Sequence, residues 1–403
     1  MRIVFVNNSD ETFTPTHSGA IATWIWECCR AAARAGDRPL VISRSSAHKP
    51  YSDVEAVFAD YPRLPRTRLG TMAFRLQRRL NGWRHLRQKA YARRVARMID
   101  GLGLGPIALF CQNDPEMAIL LRQTFPRVRV VHHFQNQLEV KPVFRHRLAG
   151  SGVVVSAVSD FTARWLETYY HLPPRTVRTI YSGVDSARFR PDPAPANLVP
   201  VIGFVGRTGI EKAPDLLLRA AVELARRGRR FALQILGANH WGRLEIDDYQ
   251  RQLQALVDDL KSAGIEVRCP GHIDRVQLPA EVRKADIHVV PSRWDEPFGL
   301  VTLEGMSSGC ATVASATGGT PEVVGDAGLL FDRDSVEQLT DHLDRLIADP
   351  QFRTGMAARA RARATTFTWD QTWRHVREVC SVRPVQRSSV NSPAASPIAV
   401  AAS

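Results

Sequence analysis

Short apolar runs alternate with amphipathic helical stretches along most of the chain, and this alternation limits the fold more than any other feature. Residues 2–6 form an apolar run, a helical stretch follows at about 20–34, and residues 39–43 form the next apolar run. A strand, helix, strand order of this kind predicts a doubly wound parallel sheet. At 403 residues the chain is too long for one hydrophobic core, so we expect two α/β domains.

A proline-rich segment separates two such sets of elements. Residues 190–200 contain four prolines, which is typical of an interdomain linker. We predict a first domain over residues 1–190, a linker over 191–200 and a second domain over 201–366. A last helix is predicted at 367–382, and the tail at 383–403, rich in Ser, Pro, Ala and Val, is expected to be disordered.

Composition narrows the class of protein. The chain has no run of about eighteen apolar residues and no signal-peptide pattern at its start, so we expect a cytoplasmic protein. Its six cysteines include no CxxC pair and no histidine at zinc spacing, which favours buried thiols in a reducing compartment. The formal net charge of +14 indicates an anionic partner, and by itself it leaves nucleic acid, anionic lipid and phosphorylated sugars open.

A basic segment at residues 63–97 departs from the average composition. It contains twelve Arg or Lys residues and no Asp or Glu, with apolar residues such as Trp83, Tyr91 and Val95 between them. This pattern predicts a helix that lies on an anionic membrane surface. The alternative is a pair of helices whose apolar faces pack on the first sheet. Nucleic acid is not expected as a partner, because no recognised binding module accompanies the charge.

Polar residues and glycines interrupt the alternation at residues 291–326. An apolar run ends at Pro291 and helical spacing begins near Gly299, which places Glu296 in a strand-to-helix loop and Glu304 in the helix. A helix N-terminus binds phosphate readily, and a carboxylate beside it can accept hydrogen bonds from ribose. These features suggest a nucleotide-sugar ligand. The spacing of the two acids alone is more typical of surface residues at a helix start, so the surrounding sequence has to decide.

A second motif lies between a strand end and a helix start in the same half of the chain. Gly206-Arg207 is followed by Glu211-Lys212. The two cations are placed to neutralise a diphosphate as it develops negative charge on leaving. The alternative is that both are ordinary surface charges.

The sequence EPFGLVTLEGMSSGCATVAS, which begins at Glu296, is followed by Gly318-Gly319-Thr-Pro-Glu322. These residues closely resemble the signature of the family 4, or group 1, retaining glycosyltransferases, and the resemblance extends over about residues 15–380. It implies a GT-B fold, in which two Rossmann-like doubly wound parallel-sheet domains face each other across a cleft. It also implies transfer of a sugar from a nucleoside diphosphate to an acceptor hydroxyl, with retention of configuration and without a bound metal or other cofactor. The only DxD, Asp332-Arg-Asp334, is explained by helix capping.

The resemblance also assigns roles to individual residues. Glu296 is expected against the donor sugar and Glu304 on the ribose. Donor binding is implied for Gly206, Arg207, Lys212, Phe298, Gly299, Leu300 and Glu304, and a part in catalysis for Glu296, His133, Arg207 and Lys212.

Two positions of the first domain differ from the family pattern or allow two alignments with it. Family members carry a histidine at a strand end facing the donor sugar, and the sequence HHFQN permits His133 in that role or Gln135 in its place. The family also carries two adjacent glycines in the first loop on the acceptor side, where this chain has Gly19 followed by Ala20.

Two further segments resemble structural parts of the family. Tyr181-Ser-Gly-Val-Asp185 resembles its NGVD segment, with Gly183 suited to a positive φ and Asp185 able to cap the next turn. The last helix is expected to cross back onto the first domain, as in GT-B enzymes.

Other activities remain open on the sequence. A phosphorylase or epimerase of the same fold would bind similar ligands, and a non-catalytic, membrane-associated homologue could retain the fold alone. The expected partners are a nucleotide-sugar donor, a glycan or lipid-linked acceptor of cell-envelope or related glycoconjugate synthesis, and an anionic membrane through residues 63–97. The expected location is cytoplasmic or peripheral on the inner face of the plasma membrane.

Overall fold

The computed structural model describes residues 1–15, 19–60, 86–103, 105, 107–140, 142–191, 197–238 and 247–381. Most of the basic segment, the centre of the predicted linker and the predicted tail lie outside these described residues.

Two all-parallel sheets form the centres of two domains. The first sheet consists of β1 Arg2–Val6, β2 Leu40–Arg44, β3 Ala56–Ala59, β4 Ile107–Gln112, β5 Arg129–Phe134, β6 Val154–Ala157 and β7 Arg178–Thr179. The second sheet consists of β8 Val201–Val205, β9 Ala232–Leu236, β10 Glu266–Gly271, β11 Ile287–Val290, β12 Ala311–Ser315 and β13 Leu329–Phe331. The strand orders are β3-β2-β1-β4-β5-β6-β7 and β10-β9-β8-β11-β12-β13. The predicted fold class of two doubly wound parallel-sheet domains is confirmed.

Helices connect the strands on both faces of each sheet. In the first half of the chain they are α1 Ala20–Arg34, α2 Leu86–Gly101, α3 Pro115–Thr124, α4 Pro142–Ala149 and α5 Asp160–Tyr169. In the second half they are α6 Pro214–Arg226, α7 Asp248–Ser262, α8 Leu278–Val282, α9 Leu300–Ser307, α10 Thr320–Val324, α11 Val336–Ala348, α12 Pro350–Ala364 and α13 Trp369–Ser381. Polar side chains cap several of them, as Ser159 does by accepting a hydrogen bond from the Thr162 N–H at 3.0 Å.

The strand orders place the ends of β1 and β4 side by side in the first sheet and those of β8 and β11 side by side in the second. The order in which the chain adds strands reverses between two neighbouring strands of each sheet, β1 and β4 in the first and β8 and β11 in the second. Ligands of open α/β sheets bind outside the carboxyl ends of the strands at such a switch point. Gly206-Arg207 follows β8 and Glu296 follows β11, so two motifs about ninety residues apart in the chain meet at one edge of the second sheet.

The last helix, α13, packs on the first domain. Its apolar face, which includes Trp369, Trp373 and Val376, joins the core formed by Phe5 and Trp24. The Trp373 indole N–H donates to the Asp37 carboxylate at 2.9 Å. The carboxyl-terminal part of the chain therefore lies against the amino-terminal sheet.

The described part of the basic segment supports the packed-helix alternative. In α2 the side chains of Tyr91 and Val95 are fully buried against the first sheet, and the Tyr91 hydroxyl donates to the Asn7 carbonyl at 3.2 Å. The expectation that these two residues face a membrane is therefore wrong. Arg93, Arg94 and Arg97 lie on the exposed face of the helix.

The expectation of a positive φ at Gly183 is also wrong. Gly183 is absent from the positive-φ residues of the backbone, and its importance is steric, since a Cβ there would lie 2.2 Å from the Trp369 nitrogen. The capping role of Asp185 is confirmed, because its carboxylate accepts from the backbone N–H groups of Ala187 and Arg188, each at 3.2 Å.

Candidate functional site

A buried ion pair joins the two motifs at the switch point of the second sheet. The Lys212 ammonium lies 2.5 Å from Glu296 Oε1, and the Ser292 hydroxyl donates to the same oxygen at 2.5 Å. Glu296 is 5% exposed. A carboxylate this deeply buried needs a cation and hydrogen-bond donors around it, and the loop after β8 supplies the cation to the loop after β11.

Two glycines allow the loop that carries Glu296 to pack closely. A Cβ on Gly318, which has φ +59°, would lie 2.2 Å from the Glu296 carbonyl oxygen. The Gly319 N–H donates to that same oxygen at 2.6 Å. The Gly318-Gly319 pair of the sequence motif therefore sets the position of the Glu296 backbone.

The loops after β8 and β11 are tied together by further contacts. The backbone N–H groups of Arg293 and Trp294 donate to the Glu211 carbonyl at 3.0 and 3.1 Å. The Arg293 guanidinium binds both oxygens of the Asp215 carboxylate, at 2.7 and 2.8 Å. Arg293 has no signal in the sequence patterns, yet it fixes one loop against the first turn of the helix that follows the other.

Arg207 lies at the exposed side of this group. Its side chain is 46% exposed and lies 3.1 Å from the Glu211 carboxylate. An exposed pair of this kind contributes little to stability, and it lies just after the end of β8.

Gly299 begins the helix that carries Glu304. Its φ of +93° is a left-handed conformation that favours glycine. Helix α9 then presents its N-terminal N–H groups at the carboxyl edge of the sheet, as an anion site requires. Leu300 packs between the cores of the two domains. The Phe298 ring packs with Tyr181 and Phe367, at a centroid distance of 6.0 Å from each.

Glu304 is paired with an arginine that the sequence motifs do not contain. The carboxylate is 2% exposed, and its Oε1 accepts a hydrogen bond from Arg275. Its other oxygen, Oε2, is buried without a partner. Arg275 lies between β10 and α8, in a loop without a recognisable pattern, so sequence alone offered no reason to select it.

On the first domain, His133 is buried rather than exposed to the cleft. Its ring stacks on Trp24 at a centroid distance of 4.8 Å, and its Nδ1 lies 3.1 Å from the Ser156 hydroxyl. Burial lowers the pKa of His133 to about 3, so the imidazole is neutral near pH 7. Its Nε2 has no partner and is free to make a hydrogen bond, but the ring cannot supply a positive charge.

Gln135 lies at the same strand end and is bound within the domain. Its side-chain amide donates to the side-chain Oε1 of Gln112 at 3.0 Å, and its backbone N–H donates to Asn113 Oδ1 at 2.8 Å. His132 faces the opposite side of β5, where its Nε2 accepts from the Asp114 N–H at 2.8 Å. The alternation of side chains along the strand thus separates the two histidines.

Gly19 lies against a carboxylate that sequence reasoning did not select. A Cβ on Gly19 would lie 2.6 Å from Glu11 Oε1, and this oxygen accepts from the Ala22 N–H at 3.3 Å. Burial raises the pKa of Glu11 to about 7, although the backbone N–H groups of Ala22 and Gly19 oppose the shift. The first turn of α1 is therefore occupied by a carboxylate of the protein itself.

The predicted residues thus form two groups. Gly206, Arg207, Lys212, Glu296, Phe298, Gly299, Leu300 and Glu304 lie on the second domain at the ends of β8 and β11 and along α9, whereas Gly19, His133 and Gln135 lie on the first domain. Within the described ranges, no group of three or more His, Cys, Asp or Glu side chains could hold a metal ion. Asp332 and Asp334 bind Gln338 and Arg293 respectively. The side chain that caps α11 is that of Ser335, so the prediction that the DxD caps this helix is wrong.

Two family models match successive parts of the chain. The model of Glycosyltransferase Family 4 matches residues 21–188 and that of Glycosyl transferases group 1 matches residues 185–363. The chain belongs to the group 1 glycosyltransferases. The second match covers every donor-side residue of the site.

Curated relatives of this group 1 chain are named D-inositol 3-phosphate glycosyltransferase. The protein from Saccharomonospora viridis is 34% identical over 257 residues, which are 57% of each chain. That from Frankia alni is 35% identical over 243 residues, or 57% of this chain and 58% of the relative. The chain therefore spans less than two thirds of the length of these relatives.

Solved structures of low sequence identity share the GT-B fold of this group 1 chain. Sucrose-phosphate synthase from Thermosynechococcus elongatus has a TM-score of 0.73 at 18% identity and covers 94% of this chain and 98% of its own. Anabaena Alr3699/HepE in complex with UDP has a TM-score of 0.70 at 18% identity, and the match covers 94% of this chain and 100% of the Alr3699/HepE chain. At this identity the likeness shows the fold alone.

Proposed function

We propose that the protein transfers a sugar from a nucleoside diphosphate donor to an acceptor hydroxyl, with retention of anomeric configuration. The observation that carries the proposal is the buried Lys212–Glu296 pair at the switch point, just before the start of the helix α9 that carries Glu304. Two comparisons support it, since the curated relatives are named glycosyltransferases and Alr3699/HepE has been solved with UDP-glucose. Retention is what the resemblance to the family implies.

The donor-side residues divide the work of binding and activation. Arg207, Lys212 and the N-terminus of α9 stabilise the negative charge that develops on the leaving diphosphate. Glu296 accepts hydrogen bonds from hydroxyls of the sugar, while Glu304 accepts them from the ribose. Each of the two side chains has a cation beside it in the structure.

On the first domain His133 takes part as a neutral hydrogen-bonding group. Its pKa of about 3, lowered by burial, excludes a role as a cation or as a general acid near pH 7. Its Nε2 is buried without a partner, and donor binding would have to expose this atom for it to contact the sugar. His133→Phe should weaken sugar binding and leave the affinity for the free diphosphate unchanged.

We further propose that the reaction needs no metal ion, because two protein cations and a helix N-terminus already meet the charge of the diphosphate. Turnover in the presence of excess chelator tests this. Activity lost on chelation and restored by a divalent cation would contradict it.

Two candidate acceptors are proposed on different grounds. The relatives' name makes D-inositol 3-phosphate one acceptor to test, and the basic segment at residues 63–97 makes a lipid-linked glycan or glycolipid at the inner face of the plasma membrane the other. Both acceptors should be tested in one assay, in which NMR determines the anomeric configuration of the product.

The decisive experiment is release of nucleoside diphosphate from a panel of UDP-, GDP- and ADP-sugars, with and without these acceptors. One donor should be consumed, and Glu296→Gln should abolish consumption. If no nucleotide-sugar is bound or consumed, the proposal fails. A phosphorylase would instead require inorganic phosphate and a pyridoxal cofactor absorbing beyond the aromatic band, whereas a non-catalytic homologue would bind a donor without consuming it.

A further inference from the structure

Arg275 lies between the predicted ribose carboxylate and the opposite domain. Its guanidinium donates to Glu304 Oε1, and its Cζ lies 5.3 Å from the centre of the Phe189 ring. The pair is held by a single hydrogen bond and is not bidentate, because Glu304 Oε2 and Arg275 Nε are both buried without a partner. Glu304 thus keeps one oxygen free, in a position held by a cation.

Contacts from the first domain hold the backbone of Arg275. The Arg188 guanidinium donates to the Arg275 carbonyl at 3.3 Å, and its other prong lies 3.3 Å from Glu27 Oε1 on α1. Glu27 is 3% exposed and is also paired with Arg30 at 3.3 Å. A continuous series of charged contacts therefore runs from α1 of one domain to Glu304 of the other.

Despite burial, carboxylates of both domains raise the pKa of Arg275 and keep its side chain charged. Burial lowers the pKa of Arg275, but the Glu304 carboxylate outweighs it, and Glu27 and Tyr51 on the first domain act in the same direction as Glu304. The Arg275 guanidinium therefore stays charged in contact with Glu304, while Glu27 acts on it only through space.

We propose that Arg275 is a positioning residue for the donor ribose, and that the first domain sets its position through Arg188 and Glu27. This inference rests on the proposed function, since it takes Glu304 as the acceptor of the two ribose hydroxyls. A diol that donates to both oxygens of a carboxylate needs that carboxylate in one orientation. Arg275 fixes the rotamer by donating to Oε1. Each carboxylate oxygen can accept two hydrogen bonds, so Oε1 keeps one acceptor position and Oε2 has no partner.

The test is discrimination between UDP, GDP or ADP, whichever binds best, and its 2′,3′-dideoxy analogue, measured by calorimetry. The natural protein should bind the hydroxylated form about tenfold or more tightly, and Glu304→Ala should remove the difference. Arg275→Gln should reduce the discrimination severalfold, with partial recovery in Arg275→Lys. Glu27→Gln, although it is in the other domain, should produce a smaller reduction.

Arg229→Gln is the matched control, because Arg229 forms a comparable pair with Asp344 at 2.5 Å on a different part of the second domain. It should keep full discrimination. The lysine variant keeps the test valid if the glutamine variant does not fold.

The outcomes separate the two proposals. If the natural protein binds the dideoxy form equally well, the ribose role of Glu304 fails, and the inference fails with it. If Glu304→Ala loses discrimination while Arg275→Gln and Arg275→Lys keep it, the proposed function stands and the inference about Arg275 is overturned. Unchanged discrimination in Glu27→Gln would overturn the part assigned to the first domain.

Discussion

At the scale of single residues, the donor-side site is organised by charges that are buried in pairs. Glu296 and Glu304 are both almost inaccessible, and each has one cation supplied by a different loop, Lys212 and Arg275. Removing one partner of such a pair leaves an uncompensated charge. The acids therefore depend on their cations for position as well as for charge balance.

We predict that Lys212→Ala lowers turnover about a hundredfold or more at saturating donor, because a cation that meets the growing diphosphate charge is lost. Breaking a fully buried pair lowers the free energy of unfolding by about 3–5 kcal/mol. The loss in Lys212→Ala should be smaller, since the Lys212 side chain is 21% exposed. Steady-state kinetics and thermal unfolding measure the two effects. Lys284→Ala, which removes an exposed pair with Glu281 at 2.9 Å, is the control and should change neither. Near-normal turnover in Lys212→Ala would make the lysine a structural residue only.

At the scale of elements, the ends of β8 and β9 approach more closely than side chains would permit. Gly237 follows β9 with φ +144°, and a Cβ there would lie 1.7 Å from the Gly206 carbonyl oxygen. The backbones of two strand ends thus touch at the edge where the diphosphate is expected. Glycine at this position is a requirement of packing as well as of φ.

We predict that Gly237→Ala destabilises the second domain and weakens nucleoside diphosphate binding, because the end of β8 must move. Gly228→Ala is the control, since Gly228 also has a positive φ of +74° but open space around it. The control should cost about 1–2 kcal/mol through backbone strain alone. Equal losses of unfolding free energy in the two variants would show that the close approach is not important.

At the scale of the whole molecule, the two domains are joined by backbone contacts as well as by the charged series described above. The Glu322 carboxylate on α10 accepts from the N–H groups of Asp160 and Phe161, at 2.8 and 2.5 Å, and so caps α5 of the first domain. The Tyr181 hydroxyl lies 3.2 Å from the same carboxylate. A residue of the GGTPE motif therefore acts across the cleft.

We predict that Glu322→Ala widens the distribution of domain arrangements, because the first turn of α5 loses its acceptor from the other domain. Small-angle scattering should show a larger radius of gyration, and turnover should fall while nucleoside diphosphate affinity is kept. Glu337→Ala, an exposed acid in the first turn of α11, is the control. An unchanged scattering profile for Glu322→Ala would contradict the prediction.

The predicted membrane contact of residues 63–97 also concerns the whole molecule, because it would set where the protein resides. No helix in the described ranges is long and apolar enough to cross a membrane. We predict binding to anionic vesicles that decreases with salt, each cation near the surface contributing about 1 kcal/mol.

Replacing Arg75, Arg78, Arg79 and Arg84 with Gln should reduce vesicle sedimentation and leave nucleotide affinity unchanged. Equal binding to neutral and anionic lipid, or none to either, would extend the packed-helix interpretation from α2 to the rest of the segment.

Sequence alone determined the two parallel sheets, the approximate elements and the donor-side motifs. Parallel strands buried on both faces are near-continuous apolar runs, as IHVV in β11 shows, and the helices between them have a clear periodicity. The motifs at Gly206 and Glu296 could be placed at strand ends for the same reason.

Only the tertiary structure decided which charges meet. The pairing of Glu304 with Arg275, the cap that Glu322 places on α5 and the burial of His133 under Trp24 all join residues that are distant in the chain. Such contacts follow from strand order and from how the two domains face each other, and they leave no periodic trace in the sequence. Local patterns therefore predicted the elements and the strand ends, whereas the partner of each buried group depended on the packing of the whole chain.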